Sequence, residues 1–348
     1  MLNKEIKKIV FVHDRLITKW WAEKVFFWII NDIINNKWYY TQLVSKYNIN
    51  NPEIKIFTTF LNPYFKLNTK IDIEAVISTK NIDKFSRQLL PIYPILQKIL
   101  SYKIKKFNPD LIIISSFAIA KNISINWIPK ILYLHSPMQY IWSHYNEYIN
   151  NNYFKNSKIK KFIFSISSKY LRKWDKKFVN FDKIYFNSNY TKKTFEQIYK
   201  ITKNNWIILY PLVTKPNYKK IDVFNFYKLP SKYYIYIWRT VKFVKKLDKI
   251  INYFNKSWEY LVIVWDWPDL NELKLNAKSN IKFVWYISDQ SPYYWNLLEN
   301  AQAIVNLTKE SFWIVNYHAK LLNIPIITCP KWAIKEIKCK KIYIDICD

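Results

Sequence analysis

Residues 19–26 read KWWAEKVF, two adjacent tryptophans behind a strand-like run, at the point where a helix-like segment begins. A strand-to-helix turn of this kind aims backbone N–H groups out of a helix N-terminus, and the chemistry it suits is holding phosphate or another anion. Close approach of backbone to ligand needs a missing side chain, which is glycine's use and the opposite of tryptophan's. The same oddity recurs in YIWRT, VIVWDWPDL, KFVWYIS, ESFWIVN and CPKWAIKE, each with tryptophan at the end of an apolar run or the start of a helix-like one. The chain holds 16 tryptophans and no glycine in 348 residues, where average usage supplies roughly 7% glycine. We therefore expect that the gene reads UGA as glycine and that many of these positions are glycine in the natural protein. The excess of Ile, Lys, Asn, Tyr and Phe fits the AT-rich genome in which such recoding is plausible. An authentic tryptophan-rich protein is the alternative.

The elements that position these turns alternate along the whole chain. Short apolar runs at 9–13, 54–58, 111–115, 131–135, 183–187, 207–210, 233–237, 260–264, 281–284, 303–307 and 324–328 read as strands, with helix-length amphipathic segments between them. That alternation predicts α/β architecture with parallel sheets. Residues 213–230 are polar, proline-punctuated and without clear periodicity, which predicts a linker between domains 1–212 and 231–348. In doubly wound domains ligands bind at the carboxyl ends of the strands, so a two-domain chain is expected to use the cleft between them. The chain stops just after a last strand candidate, and the second domain is expected to be truncated.

Composition narrows the partners. Lys plus Arg number 55 against 25 Asp plus Glu, a net charge of +30, which favours an anionic surface or an anionic, nucleotide-activated substrate. A nucleic-acid partner is not expected, because the aromatics lie mainly in strand patterns and no RNA-binding module is visible. Cys329, Cys339 and Cys347 are odd in number and lack metal spacing, so neither a disulfide frame nor a metal is expected. The N-terminus enters a strand pattern without a signal region, and no run reaches 18 apolar residues. The expectation is a cytoplasmic protein, with peripheral membrane contact at most. The lysine-rich stretch YFKNSKIKKFIFSISSKYLRKWDKK has apolar residues at near-helical spacing, which suits docking on an anionic bilayer.

With tryptophan read as glycine, these stretches resemble the retaining, nucleotide-sugar-dependent glycosyltransferases of family 4, and the likeness runs over nearly the whole chain. Trp20 and Trp21 then give the family's Gly-Gly-Ala-Glu turn after the first strand. YLHSPMQYIW resembles the His-Ser/Thr-Pro-x-Arg-Tyr-x-Trp stretch of a mannosyltransferase-like branch, with Gln139 in place of Arg. The elements around YLRKWD and FNSNY match that branch as well, so Trp142 and Trp174 are expected to be true tryptophans. In the second half Trp238 and Arg239 resemble a Gly-Arg pair, with Lys245 or its neighbour Lys246 following, and VWDWP resembles Gly-Asp-Gly-Pro. KESFWIVNYHAK is similar to the family's Glu-x-Phe-Gly-Ile/Leu-x3-Glu-Ala, with Glu310 as the first acid and His318 in place of the second. Trp332, Ala333 and Glu336 continue the match.

The resemblance implies a GT-B fold, two Rossmann-like doubly wound domains facing an interdomain cleft. It implies Glu310, His135, Arg239 and Lys245 as catalytic residues, with Arg and Lys as charge-assisted partners of the donor diphosphate. Trp20, Trp21, Trp238, Lys246, Phe312, Trp313, Ile314, Val315 and His318 are implied to bind the donor. Trp313 as glycine, with Ile314 and Val315, would offer backbone N–H groups to the phosphates. A neutral imidazole at 318 accepts one hydrogen bond at most, so weakened nucleotide contact is expected there. The implied reaction moves a sugar, with GDP-mannose favoured as donor, to a glycan or lipid-linked acceptor with retention and without a metal or other cofactor. A non-catalytic GT-B-like protein that binds a glycan or a partner is the alternative.

Overall fold

A computed structural model describes residues 5–18, 21–65, 70–86, 88–150, 154, 157–177, 180–203, 206–240, 246–268, 270–308, 312, 314–329 and 332–343; the side chains of 84, 238–240, 265–268, 270–272 and 332 are excepted. The chain divides into two compact units, Met1–Leu212 and Val213–Asp348.

The first unit is a parallel sheet of β1 (Glu5–Leu16), β2 (Asn48–Leu61), β3 (Asp72–Ser78), β4 (Leu111–Ser116), β5 (Lys130–Leu134), β6 (Lys183–Phe186) and β7 (Ile207–Ile208). Its spatial order is β3-β2-β1-β4-β5-β6-β7. The central strands are near-continuous Ile, Val, Leu and Phe because both faces are covered. Phe11, Ile113 and Tyr133 pack under Val25, Phe26, Ile29 and Ile30 of the helix Trp21–Ile34. Val12, Ile112, Ile114 and Leu132 pack on the opposite face under Leu100 and Ile104 of the helix Tyr93–Phe107 and Phe195 of the helix Asn189–Tyr199.

Helix ends follow local chemistry. Ser188 caps the helix Asn189–Tyr199 by accepting from the N–H of Thr191 at 3.1 Å, and Ser157 does the same for the helix Lys158–Asp175 through Lys160 N–H. Asn108 closes the helix Tyr93–Phe107 in the left-handed conformation, φ 55°, taking the place glycine usually holds.

The second unit repeats the plan. Strands β8 (Tyr234–Thr240), β9 (Leu261–Pro268), β10 (Ile281–Trp285), β11 (Ile304–Asn306), β12 (Ile326–Thr328) and β13 (Lys341–Tyr343) are parallel, in the order β10-β9-β8-β11-β12-β13. Counted within each unit, both sheets carry the 3-2-1-4-5-6 order of the dinucleotide-binding fold, the first with one strand more.

Three details differ from the sequence expectation. Residues 213–230 are not plain linker: they hold the short helix Val223–Tyr227 and are strapped to the second unit. Asn296 accepts from Ile221 N–H at 3.2 Å and donates to Lys219 C=O at 2.8 Å, while Tyr218 stacks on Trp295. Cys329 is disulfide-bonded, correcting the expectation of none, and Cys339 is a free thiol. The edge strand β3 was not anticipated.

One buried ion pair ties the first unit together. Lys121 and Asp175, 1% and 0% exposed, bond each other, and the Asp175 carboxylate also accepts from Trp142 Nε1 at 2.9 Å and Tyr199 OH at 2.5 Å. Trp142 thus uses its indole N–H. Removing one partner strands the other's charge, so Lys121→Met is expected to cost about 3–5 kcal/mol, and Lys121→Met with Asp175→Leu to recover a large part of it. Urea unfolding followed by tryptophan fluorescence measures both; equal losses in the single and double variants would show that the charge pairing does not matter.

Candidate functional site

In a sheet of this order the strands reverse direction of winding between β1 and β4, and the carboxyl edge there is where ligands settle. In the first unit that edge carries His13, Asp14, Ser115 and, just past β5, His135. His13 and Ser115 are direct register partners, and Ser115 in turn pairs with Tyr133, two residues before His135. Side chains alternate along a strand, so His13 falls on the face of Phe11 and stacks on Phe26 with ring centroids 4.7 Å apart.

These residues form a directed chain of hydrogen bonds. His13 Nδ1 lies 2.9 Å from the Ser115 carbonyl oxygen and 3.2 Å from its Oγ. A carbonyl only accepts, so Nδ1 carries the proton. The Ser115 hydroxyl then has His135 Nε2, 2.7 Å away, as its acceptor. That assignment leaves the single ring proton of neutral His135 on Nδ1, making the imidazole an N–H donor there. His13 Nε2 is buried and has no partner.

Burial holds both rings neutral. The His135 pKa is lowered to about 3 by loss of solvent. That of His13 is pushed well down, by burial first and then by the neighbouring His135, against the Ser115 carbonyl bond. Asp14 shifts the other way, raised by burial against the backbone N–H groups it binds. Its carboxylate accepts from Phe117, Ala118 and Ala120 N–H at 2.6, 3.0 and 2.6 Å, which fixes the loop after β4. Trp21 opens the helix Trp21–Ile34, half-buried, with the Lys24 ammonium over its ring. Trp20 lies outside the described residues.

In the second unit the reversal falls between β8 and β11, which pair through Ile235 and Ile304. Trp238 and Arg239 stand near the carboxyl end of β8, described as backbone only. Beyond β11 the chain passes through Thr308 and Phe312 into the helix Ile314–Leu322. The Asn306 side chain accepts from Thr308 N–H and Oγ at 3.0 and 2.7 Å and donates to Asn316 Oδ1 at 3.3 Å, fixing the exit from the strand. Phe312 stacks on Tyr317 at 4.6 Å. Ile314 and Val315 are buried, so only their backbone N–H groups can serve a ligand. Lys246 sits at the N-cap of the helix Leu247–Ser257 with φ 53°. Glu310, Trp313 and Lys245 lie outside the described residues.

His318 is buried rather than presented to an opening. Its Nδ1 shares a 2.7 Å hydrogen bond with Tyr294 OH, and Trp295 lies against its ring at 4.5 Å. The residues matched by resemblance thus gather at the two reversals: His135 and Trp21 in the first unit, Arg239, Lys246, Phe312 and Ile314 in the second. His13, Ser115, Asp14 and Tyr294 were missed. The His-Asp pair at the end of the first strand was the available signal.

The tryptophans fall into unlike surroundings. Trp142 donates to Asp175; Trp295 is buried and donates to the Asp289 carbonyl at 2.7 Å; Trp206 is buried against Phe186 and Phe195. Trp258 instead is 60% exposed at a helix C-terminus with φ 59°, a left-handed backbone that bulky residues avoid.

No protein-family model matches the chain, and no curated protein does. Solved structures do. One, from Anabaena, is Alr3699/HepE in complex with UDP and glucose, at TM-score 0.62 and 12% identity over 97% of this chain and 86% of that one. OtsA in its apo form gives TM-score 0.57 and 8% identity over 97% and 88%. The UDP-GlcNAc 2-epimerase of Neisseria meningitidis bound to UDP-GlcNAc gives 0.51 and 12% over 94% and 84%. At these identities the likeness establishes the fold, and the chain has the GT-B fold.

The two neutral imidazoles make stability depend on pH. Each titrates near 6.5 when unfolded and far lower when folded, so the unfolded chain binds more protons in between. Stability is full above about 6.5 and falls towards pH 3, by at most about 1.4 kcal/mol per pH unit for each ring. Asp14, protonated earlier in the fold than in the unfolded chain, softens the fall only in the carboxylate range. His13→Asn keeps a donor at the Nδ1 position and His135→Gln keeps a polar group at Nε2. Together they should flatten the denaturation midpoint between pH 7 and 5; an unchanged slope would place the protons elsewhere.

Proposed function

We propose that the chain is a glycosyltransferase that moves a sugar from a nucleoside diphosphate donor to a glycan or lipid-linked acceptor, with retention and with mannose from GDP-mannose favoured. The observation that carries the reading is the coincidence at the second reversal. The Gly-Arg-like end of β8 and the segment that opens the helix Ile314–Leu322 belong to adjacent strands of one carboxyl edge. That edge is where a nucleotide diphosphate binds in this fold class, and a helix N-terminus is suited to its charge.

In this reading Arg239 and Lys245, with Lys246 beside it, neutralise charge growing on the leaving diphosphate, and the N–H groups at Trp313 (read as glycine), Ile314 and Val315 do the rest. Glu310 takes its place beside the donor sugar. No metal or cofactor is needed for that electrostatic work. His135, a neutral N–H donor, positions a sugar hydroxyl and does not act as a base. His318, engaged by Tyr294, favours altered ribose contact and keeps a second reading in view, a GT-B-like protein that binds a glycan or partner without turnover.

The reading requires glycine at the anion-facing turns. Trp258 supports it independently, because its left-handed helix cap is a glycine position, while the packed and bonded Trp142, Trp206 and Trp295 look like true tryptophans. Peptide mapping of the protein from its own host should find glycine at Trp20, Trp21, Trp258 and Trp313 and tryptophan at Trp142 and Trp295. Tryptophan at all six would plug the turns and remove the catalytic reading.

Turnover is tested on that host-made protein with a panel of nucleotide sugars, following nucleotide release and product anomeric configuration by NMR. Glu310→Gln and Arg239→Ala should each lower turnover about a hundredfold or more with the fold retained. Tight donor binding without product from any nucleotide sugar would select the non-catalytic reading.

A further inference from the structure

Among the described residues no helix is long and apolar enough to cross a membrane, yet the helix Lys158–Asp175 carries an exposed apolar stripe. Ile159, Phe162, Ile163, Ile166 and Tyr170 are exposed by 72, 66, 49, 52 and 51%. At 3.6 residues per turn they fall within an arc of about 100° and run for roughly 17 Å. Ser168, Leu171 and Asp175 form the buried face, on the other side of the helix. The stripe is therefore not core left loose: the helix already has its packing face.

A second stripe stands on a neighbouring helix. Leu90, in the short turn Leu90–Ile92, and Tyr93 and Leu96 of the helix Tyr93–Phe107 that follows share a core cluster with Leu171, Phe164 and Trp174 of the first helix. On this neighbour Ile95, Ile99 and Tyr102 are exposed, as is Ile92 just before it.

Charge decides what such a surface meets. Neither helix carries an exposed acid: the helix Tyr93–Phe107 has none in its sequence, and the other has only Asp175, buried against Lys121. Lys158, Lys160, Lys169 and Lys173 are exposed around the first stripe, and Lys98, Lys105 and Lys106 around the second. A second copy of this chain would bring like charges together. Hydrocarbon beneath a layer of negative headgroups satisfies both features, the stripe entering about 5–10 Å and the lysines remaining at the phosphates.

We propose that the helix Lys158–Asp175, flanked by the exposed face of Tyr93–Phe107, docks this protein flat on an anionic lipid bilayer. The inference rests on the first unit alone and not on glycosyl transfer.

The test is co-sedimentation of the full chain with vesicles of phosphatidylcholine, with and without one-third phosphatidylglycerol, at low and high salt. Binding is expected only with phosphatidylglycerol, weakening with salt as exposed charges are screened. Combined Ile159→Ser, Phe162→Ser and Ile166→Ser should lower partitioning about tenfold or more. The replaced side chains are solvent-exposed, so thermal unfolding and nucleotide-sugar binding in solution should be unchanged, which keeps this proposal separate from the functional one. No binding to either vesicle overturns it. So does a triple variant that binds like wild type, which would reduce the effect to bulk positive charge. A lipid-free dimer that the triple variant makes monomeric, without vesicle binding, would assign the stripe to a second copy instead.

Discussion

The constraint on which the molecule depends is the pairing of the first strand of each unit with its fourth. Parallel strands need crossover connections, and these are right-handed in nearly all cases. The chain therefore winds outward from β1 to β3 with the helix Trp21–Ile34 on one face, then returns through Tyr93–Phe107 on the other to lay β4 against β1. The loops leaving β1 and β4 go to opposite faces, and the edge between them is left for a ligand. Register completes the arrangement. His13 meets Ser115 directly; a slip of one residue would turn Ser115 to the far face and break the chain of bonds to His135.

Two buried carboxylates hold that edge still. Asp14 gathers the N–H groups of Phe117, Ala118 and Ala120, and one turn later Lys121 reaches Asp175. The loop after β4 is thus gripped at both ends. Buried charges are tolerable only when saturated with partners, and Asp175 is: it binds an ammonium, an indole N–H and a phenol. The same saturation makes the loop stiff, so Ser115 and Ser116 at its root keep their positions. Precision at the edge comes from buried carboxylates that bind backbone and side-chain donors around it.

Legibility followed from how locally each feature is encoded. Strands buried on both faces, such as Leu111–Ser116, are unbroken apolar runs and stand out in the sequence. The edge strand β3, DIEAVIS, does not, because its acids face solvent and meet Lys55 and Lys103 across the sheet edge. Residues 213–230 lack periodicity because side chains of a distant helix, Asn296 and Glu299, hold them in place. At the site, His135 was reachable through a motif, whereas His13 and Ser115 lie 102 residues apart and meet only through register. The burial of His318 under Tyr294 was equally hidden, since neither residue announces the other.

A chain without glycine must place other residues wherever its backbone turns left-handed. Eight described residues have positive φ: Asn36, Asn51, Asn108, Asn323, Lys200, Lys228, Lys246 and Trp258. Asparagine enters this region readily because its short side chain can bond locally. Lysine is unbranched and bears the cost of about 1–2 kcal/mol without a clash beyond Cβ. Tryptophan, also unbranched at Cβ, bears the same cost, and at position 258 its ring lies mostly in solvent, with no burial to offset the strain. Elsewhere the same letter fills core volume and donates from Nε1. The two environments make opposite demands on an indole: burial and a hydrogen-bond acceptor satisfy it in the second, and the first offers neither. Among the described tryptophans the backbone thus sets Trp258 apart from Trp142, Trp206 and Trp295.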